Sequence, residues 1–136
     1  MGAAERMNRP PPAQAPMLDH VQVAAPPGCE AAARRFYGEL LGLAEIEKPA
    51  ALRPRGGVWF GLRGGAQLHV GVADPFGAGA AKAHPGLRVA PGRLDELAAG
   101  LAAAGAAVTW DEALPGVRRF FTFDPWGNRL ELLTAG

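Results

Sequence analysis

Residues 18–23, LDHVQV, decide the fold, because they reappear in altered form at residues 83–89, AHPGLRV. In both stretches apolar and polar residues alternate, which is typical of a strand with one buried face. Each stretch carries a histidine, His20 or His84, and a Pro-Gly pair follows each histidine at the same offsets of seven and eight residues. The sequence therefore predicts an internal duplication.

A second pair of polar residues repeats later in each half. His69 follows His20 by 49 residues, and Glu131 follows His84 by 47 residues, each four residues after a glycine. Each unit therefore supplies one ligand-type residue on its first strand and another on its last strand. A metal site between two half-barrels needs this arrangement.

The periodicity of the chain predicts the order β-α-β-β-β in each half. Apolar residues at helical spacing predict one helix per half, over residues 33–41 and 94–102, ended by Gly42 and Gly105. The sequence DPWG at 124–127 predicts a type I turn before the last strand. The other predicted strands are 18–24, 43–47, 58–62, 66–72, a segment that begins at His84, 107–110, 119–123 and 129–133.

We therefore expect an α+β fold in one domain, residues 17–136. Module one covers 17–73, module two covers 84–134, and the Gly- and Ala-rich residues 74–83 have the composition of a linker. Residues 1–16 are rich in Pro and Ala and lack an apolar run, so we expect a disordered tail without a signal peptide.

Strand parity separates two faces in the predicted sheets. One parity class is apolar and is expected to pack under the two helices: Val21, Val23, Leu68, Val70, Val72, Leu87, Val89, Leu130 and Leu132. The other class, which we call the polar face, contains His20, Gln22, Gln67, His69, His84, Arg88, Arg129 and Glu131. All four ligand-type residues therefore fall on the polar face, away from the helices.

Charge and cysteine content exclude several classes of function. The net charge is +1 and no stripe of Lys or Arg is present, so neither nucleic acid nor a membrane surface is an expected partner. A single cysteine, Cys29, rules out a disulfide framework within the chain. We expect a cytoplasmic protein that binds a small molecule.

These residues resemble the vicinal oxygen chelate superfamily, which includes glyoxalase I, methylmalonyl-CoA epimerase, extradiol dioxygenases and bleomycin resistance proteins. The resemblance covers residues 17 to about 134 and depends on five segments: LDHV at 18–21, FYGELLGL at 36–43, HP at 84–85, DPWGN at 124–128 and LEL at 130–132. It implies two β-α-β-β-β modules that form a U-shaped, half-barrel cleft. It also implies metal ligands at His20, His69, His84 and Glu131.

Three imidazoles and one carboxylate suit Zn, Ni, Co, Mn or Fe better than Ca or Mg. Six-coordination leaves two adjacent positions, which suit a substrate with vicinal oxygens. In the chemistry of this family a carboxylate at the metal removes the substrate proton, so the resemblance makes Glu131 the candidate catalytic base. Many glyoxalase I enzymes have glutamate at the position of His69, and this difference weakens the specific glyoxalase I interpretation.

Several alternatives stay open at the level of sequence. If His69 is not a ligand, the other three residues form a 2-His-1-carboxylate triad, as in an iron-dependent extradiol dioxygenase. A non-catalytic drug-binding protein of the bleomycin resistance type would use the same cleft without metal.

The surroundings of the predicted site are also open. Gln22 and Arg88 are candidate substrate-binding residues on the polar face, although each has an ordinary polar or ion-pairing alternative. We interpret Arg118-Arg119 as a solvated turn. We expect a homodimer, with the cleft closed either within one chain or by strands of two chains.

Overall fold

Module one is a complete β-α-β-β-β unit. The computed structural model describes residue 2 and residues 9–135. The strands of module one are β1 (His20–Ala25), β2 (Ala44–Ile46), β3 (Val58–Gly61) and β4 (Gln67–Val72). Helix α1 runs between the first two strands as an α-helix over Glu30–Ala33 and continues as a π-helix over Arg34–Leu40. A short 3-10 helix, Ala50–Arg55, precedes β3.

Module two repeats this plan. Its strands are β5 (Gly86–Arg88), β6 (Thr109–Asp111), β7 (Val117–Phe123) and β8 (Arg129–Ala135), and helix α2 spans Leu94–Ala103. The two sheets have equivalent strand orders, β1-β4-β3-β2 and β5-β8-β7-β6, with the first and last strands of each module parallel. The α+β class and the two-module architecture are confirmed, and the sheets stay open rather than closing into a barrel.

The alternation of apolar residues along the strands produces one shared core. Val23, Leu68 and Val70 of module one and Leu130 and Leu132 of module two are buried in the same cluster, and the remaining members of the predicted apolar face pack against it. Helix α1 contributes Phe36 and Tyr37, and α2 contributes Leu94, Leu97 and Leu101. The parity prediction is therefore confirmed for the apolar face.

Two hydrogen bonds, one buried and one partly buried, join the modules. The Tyr37 hydroxyl in α1 donates to Asp124 Oδ2 at 2.7 Å, and Asn128 Nδ2 donates to the Ala24 carbonyl in β1 at 2.8 Å. Asp124 and Gly127 form the predicted turn, closed by a bond from the Gly127 N–H to the Asp124 carbonyl at 3.1 Å. Burial, with the nearby Asp124 carboxylate, raises the pKa of Tyr37 well above its usual value.

Gly57, directly before β3, has no room for a side chain. Its φ is +85°, and a Cβ at this position would lie 2.2 Å from the Val70 carbonyl oxygen. The Gly57 N–H donates to Glu30 Oε2 at 2.7 Å, and this bond lowers the pKa of Glu30. Only glycine fits this position, because it combines a left-handed φ with no room for a side chain.

Several local predictions are corrected by the structure. Strand β5 begins at Gly86 rather than at His84, since Pro85 has no N–H to contribute to a ladder. The helix of module one is π-helical over most of its length, and the 3-10 helix was not predicted because two prolines interrupt any periodicity there. Arg118-Arg119 is not a turn, because both residues lie inside β7.

The two ends of the predicted domain layout are only partly covered. Residues 1 and 3–8 of the predicted tail lie outside the described residues, whereas the Ala15 N–H closes a turn onto the Pro12 carbonyl at 2.9 Å. Within the described part of the chain, no helix is long and apolar enough to cross a membrane.

Candidate metal centre

The polar face of module one carries a stack of three rings. The imidazoles of His20 and His69 are nearly parallel, with ring centroids 4.4 Å apart. Trp59 of β3 lies on the other side of His69. The two ring centroids are 3.9 Å apart, and the ring planes are inclined by 1°. The register pairs Trp59 with His69 and Gln22 with His69, so these side chains share one face. His69 is held between two aromatic rings.

Hydrogen bonds orient both imidazoles of this stack. Nδ1 of His20 donates to the Asp19 carboxylate at 2.7 Å, which leaves the Nε2 lone pair for a metal. Nε2 of His69 bonds to the Gln67 side-chain oxygen at 2.8 Å. Burial, and secondarily the nearby His20, lowers the pKa of His69, so its neutral form is favoured. Neutral imidazole is the form that ligates metals, but the nitrogen of His69 that bonds to Gln67 is already engaged.

The polar side of module two brings His84 and Glu131 together. Nε2 of His84 lies 3.1 Å from Oε1 of Glu131. Nδ1 of His84 donates to the Lys82 carbonyl at 2.9 Å, so Nε2 carries the lone pair when the ring is neutral. Two donor atoms each about 2.1 Å from one ion, at a right angle, are about 3.0 Å apart. The pair therefore fits two neighbouring positions around a metal.

Sequence reasoning missed Arg119, which lies beside this pair. Its Nη1 is 3.5 Å from Oε1 of Glu131, and its Nη2 is 3.5 Å from Oδ2 of Asp111. The Ala113 N–H and, to a lesser degree, Arg119 lower the pKa of Asp111. The signal that could have found Arg119 was its parity with Phe121, which pairs directly with Glu131.

The two predicted substrate-binding residues lie in different surroundings. Gln22 packs over Gly71 and lines a cavity of about 430 Å³ together with His84 and Arg129. Arg88 is exposed and forms no hydrogen bond or ion pair with any described residue. Arg88 lines a separate surface cavity. This cavity lies between β5 of module two and residues Leu62 and Ala66 of module one.

The four predicted ligands form two pairs rather than one cluster. His20 contacts His69, and His84 contacts Glu131, each within its own module. Among the described residues, no group of three or more His, Cys, Asp or Glu side chains is placed to hold one metal ion. The four-ligand set stays a prediction, because the donor types fit a transition metal but a single chain keeps them in two halves.

Comparison with known structures identifies the class of this fold. The crystal structure of a protein assigned to the glyoxalase family, from Bacillus anthracis, is 45% identical and matches with a TM-score of 0.81 over 90% of this chain and 97% of that chain. A glyoxalase/dioxygenase from Nostoc punctiforme matches at 19% identity and TM-score 0.76, over 94% and 97%. A lactoylglutathione lyase from Agrobacterium tumefaciens matches at 19% identity and TM-score 0.65, over 93% and 96%.

Comparisons with protein-family sequence models and with curated proteins find no match. The sequence identity to the first of the three structures is high enough for the shared fold to indicate a shared family. The chain belongs to the glyoxalase family of the vicinal oxygen chelate superfamily. The more distant structures share the fold.

Proposed function

We propose that this protein is a metal-dependent glyoxalase-like enzyme, a lyase or an isomerase of the epimerase type. Its substrate is a small molecule with two adjacent oxygens, and its cofactor is a divalent Zn, Ni, Co, Mn or Fe ion. The observation that carries the proposal is the His84–Glu131 pair, whose donor atoms are separated as two ligands of one ion would be. A bound ion would supply Lewis acidity toward the substrate oxygens.

Glu131 is the proposed catalytic base. Both His84 and Arg119 contact its Oε1, whereas its Oε2 has no hydrogen-bond partner among the described residues. Oε2 is therefore the oxygen that accepts a proton from the substrate carbon. Glu131 is 8% exposed, so little water competes for that proton.

Gln22 is proposed to bind substrate from the neighbouring module. It lines the same cavity as His84, so its amide can donate to a molecule held beside His84. Arg88 is proposed as a more distant contact that an extended substrate would reach, because it lies at the edge of module two rather than beside Glu131.

We further propose that two copies of the chain complete the site. His20 and His69 of one copy would face His84 and Glu131 of the other, which explains why one chain keeps the donors in two pairs. Met17 and Leu18, directly before β1, are 88% and 68% exposed. A homodimer that covers this end of β1 would bury both side chains and an unpaired strand edge.

Metal content is the first test of this function. Protein purified without chelator or affinity nickel should contain close to one divalent ion per chain, and His84→Ala should lose it. Glu131→Gln tests the second donor of the pair in the same measurement. If the wild type holds no metal and takes up none of Zn, Ni, Co, Mn or Fe(II), the enzyme proposal fails and a metal-free binding cleft replaces it.

A mixing experiment tests the shared site. One variant carries His20→Ala and His69→Ala, and the other carries His84→Ala and Glu131→Gln. Each alone should bind little metal, but co-refolded subunits should recover about one quarter of the wild-type content, since half of the dimers are mixed and each keeps one intact site of two. No recovery on mixing, with normal wild-type metal, would place the site within one chain.

An extradiol-type dioxygenase is the second candidate. The specific observation in its favour is His69, whose ring is stacked between two others and bonded to Gln67. If His69 keeps these contacts, the ligands reduce to His20, His84 and Glu131, the donor set of non-haem iron oxygenases. Oxygen consumption by the Fe(II)-loaded protein with a catechol, retained in His69→Ala, distinguishes this candidate from the first.

A further inference from the structure

Two arginines flank one phenyl ring beside the proposed base. The guanidinium carbon of Arg129 lies 3.9 Å from the Phe121 ring centroid, and that of Arg119 lies 5.3 Å from it. His84 meets the same ring edge-on at 5.5 Å. Phe121 is 8% exposed and is paired in register with Glu131. We call Arg119, Phe121 and Arg129 the arginine cluster.

Arg119 has more hydrogen-bonding capacity than its neighbours use. A guanidinium has five N–H donors, and its ion pairs with carboxylates are usually about 2.7–2.9 Å long. Both carboxylate contacts of Arg119 are at 3.5 Å, and its buried Nε has no partner among the described residues. The side chain is only 20% exposed, so water offers limited compensation. Such an underused, largely buried cation favours an additional anion.

The charges of the surrounding groups point the same way. Asp111 and Glu131 balance the positive charges of Arg119 and Arg129. A divalent ion at His84 and Glu131 would add two positive charges, whereas the polar face of module one contributes His20, Gln22 and His69, with the Asp19 carboxylate bonded to His20. With a divalent ion bound, the cleft would be electropositive and would favour a negatively charged ligand. Without the ion these four charges balance, and the subsite depends on the unused N–H donors of Arg119.

We propose that the arginine cluster is an anion subsite, in which Arg119 binds a carboxylate of the substrate through its guanidinium fork. The substrate class is a small organic acid whose carboxylate is close to its pair of adjacent oxygens. This inference rests on the proposed function for the position of the oxygen pair, but the subsite itself consists only of side chains already in place. Phe121 holds the two guanidinium groups at the cleft, and Asp111 limits the rotation of Arg119.

The test follows ligand binding by NMR in the protein freed of metal by a chelator. Acetate is the probe, and acetamide is its neutral analogue of similar size. Acetate should shift the Nε–H signal of Arg119 and the backbone amide of Phe121 and reach saturation, whereas acetamide should not. The Nε–H signal is identified by its absence in Arg119→Gln.

Two variants separate a binding role from a structural one. Arg119→Gln should weaken acetate binding at the Phe121 amide at least about tenfold, the usual effect of losing a charge-assisted bond. Arg119→Lys keeps the charge and replaces Arg119→Gln if that variant does not fold, with the same expected direction because it lacks the fork. Arg118→Gln removes an equal charge one residue away, where Arg118 pairs with Asp95 instead, and should bind acetate like the wild type.

The result does not depend on metal binding. A saturable acetate response in metal-free protein supports the subsite even if no metal binds and the enzyme proposal fails. A wild type without saturable acetate binding, an equal response to acetamide, or an unchanged affinity in Arg119→Gln would overturn the subsite while leaving the metal site intact.

Discussion

Module one and module two place their strands in the same order and pack their apolar faces into one core, yet their polar faces differ in chemistry. Module one presents stacked aromatic rings and uncharged amides around His69. Module two presents charged side chains around Glu131, with Arg119 between Glu131 and Asp111. The apolar residues of the strands therefore determine the fold that the two modules share. The polar residues can differ without changing that fold, and they form a ring stack in module one and an ion network in module two.

The largest expected difference between the modules concerns the glycine before the third strand of each. Gly57→Ala should lower the free energy of unfolding by about 3 kcal/mol or more. The alanine would combine a left-handed φ with a Cβ 2.2 Å from a carbonyl oxygen. Gly116 precedes β7 with a φ of +74°, and a Cβ added there would meet no atom within 4 Å. Gly116→Ala should therefore cost only about 1–2 kcal/mol. Urea denaturation of both variants at pH 7 measures the difference, and equal losses would contradict the steric argument.

The next effect tests how strongly the modules depend on each other. Tyr37→Phe should cost about 1.5–3 kcal/mol, since it removes a buried bond from α1 of module one to Asp124 of module two. Because the pKa of Tyr37 is raised in the folded state, this residue stabilises the fold below the unfolded pKa of about 10 and loses that contribution as the pH rises further.

Tyr37 is the sole tyrosine of the chain, so tyrosinate absorbance reports one group. In the folded protein this absorbance should appear only together with alkaline unfolding, as followed by circular dichroism. Titration near pH 10 with the fold intact would show that the bond to Asp124 is not kept in solution.

The smallest effect concerns an ion pair that each module forms between its helix and a strand. Arg34 of α1 bonds to Glu45 of β2 at 2.9 and 3.1 Å, and Arg118 of β7 bonds to Asp95 of α2 at 3.0 and 3.1 Å. Arg34→Met should cost no more than about 1 kcal/mol, because both partners are about half exposed. Melting temperatures in low and high salt should converge for wild type and variant. If the variant still melts at a lower temperature than the wild type in high salt, the aliphatic part of the Arg34 side chain stabilises the fold by packing.

Much of the fold could be predicted because it depends on patterns that are local in sequence. Alternation in residues 18–23 predicted β1, and the spacing of Leu94, Leu97 and Leu101 predicted α2, because period and burial are linked directly. The π-helical turns of α1 could not be read in the same way, since the same apolar spacing suits either helix over so short a stretch.

The candidate site could be predicted only in part, for a different reason. Parity assigns His69 and Glu131 to the polar face but carries no information on how the two sheets are placed relative to each other, and the structure keeps the two ligand pairs apart. Arg119 was missed because its partner Asp111 comes from another strand, and such pairing across strands depends on register, not on spacing along the chain.

Asp124 bears on how this chain folds. Its buried carboxylate accepts four hydrogen bonds, three from the adjacent Trp126 and Asn128 and one from Tyr37 of the other module. The second half on its own would therefore lack the Tyr37 donor that completes the four hydrogen bonds of this carboxylate. We expect the duplicated halves to unfold as one cooperative unit, so that a gene cut at the linker would yield two fragments that gain structure only when combined.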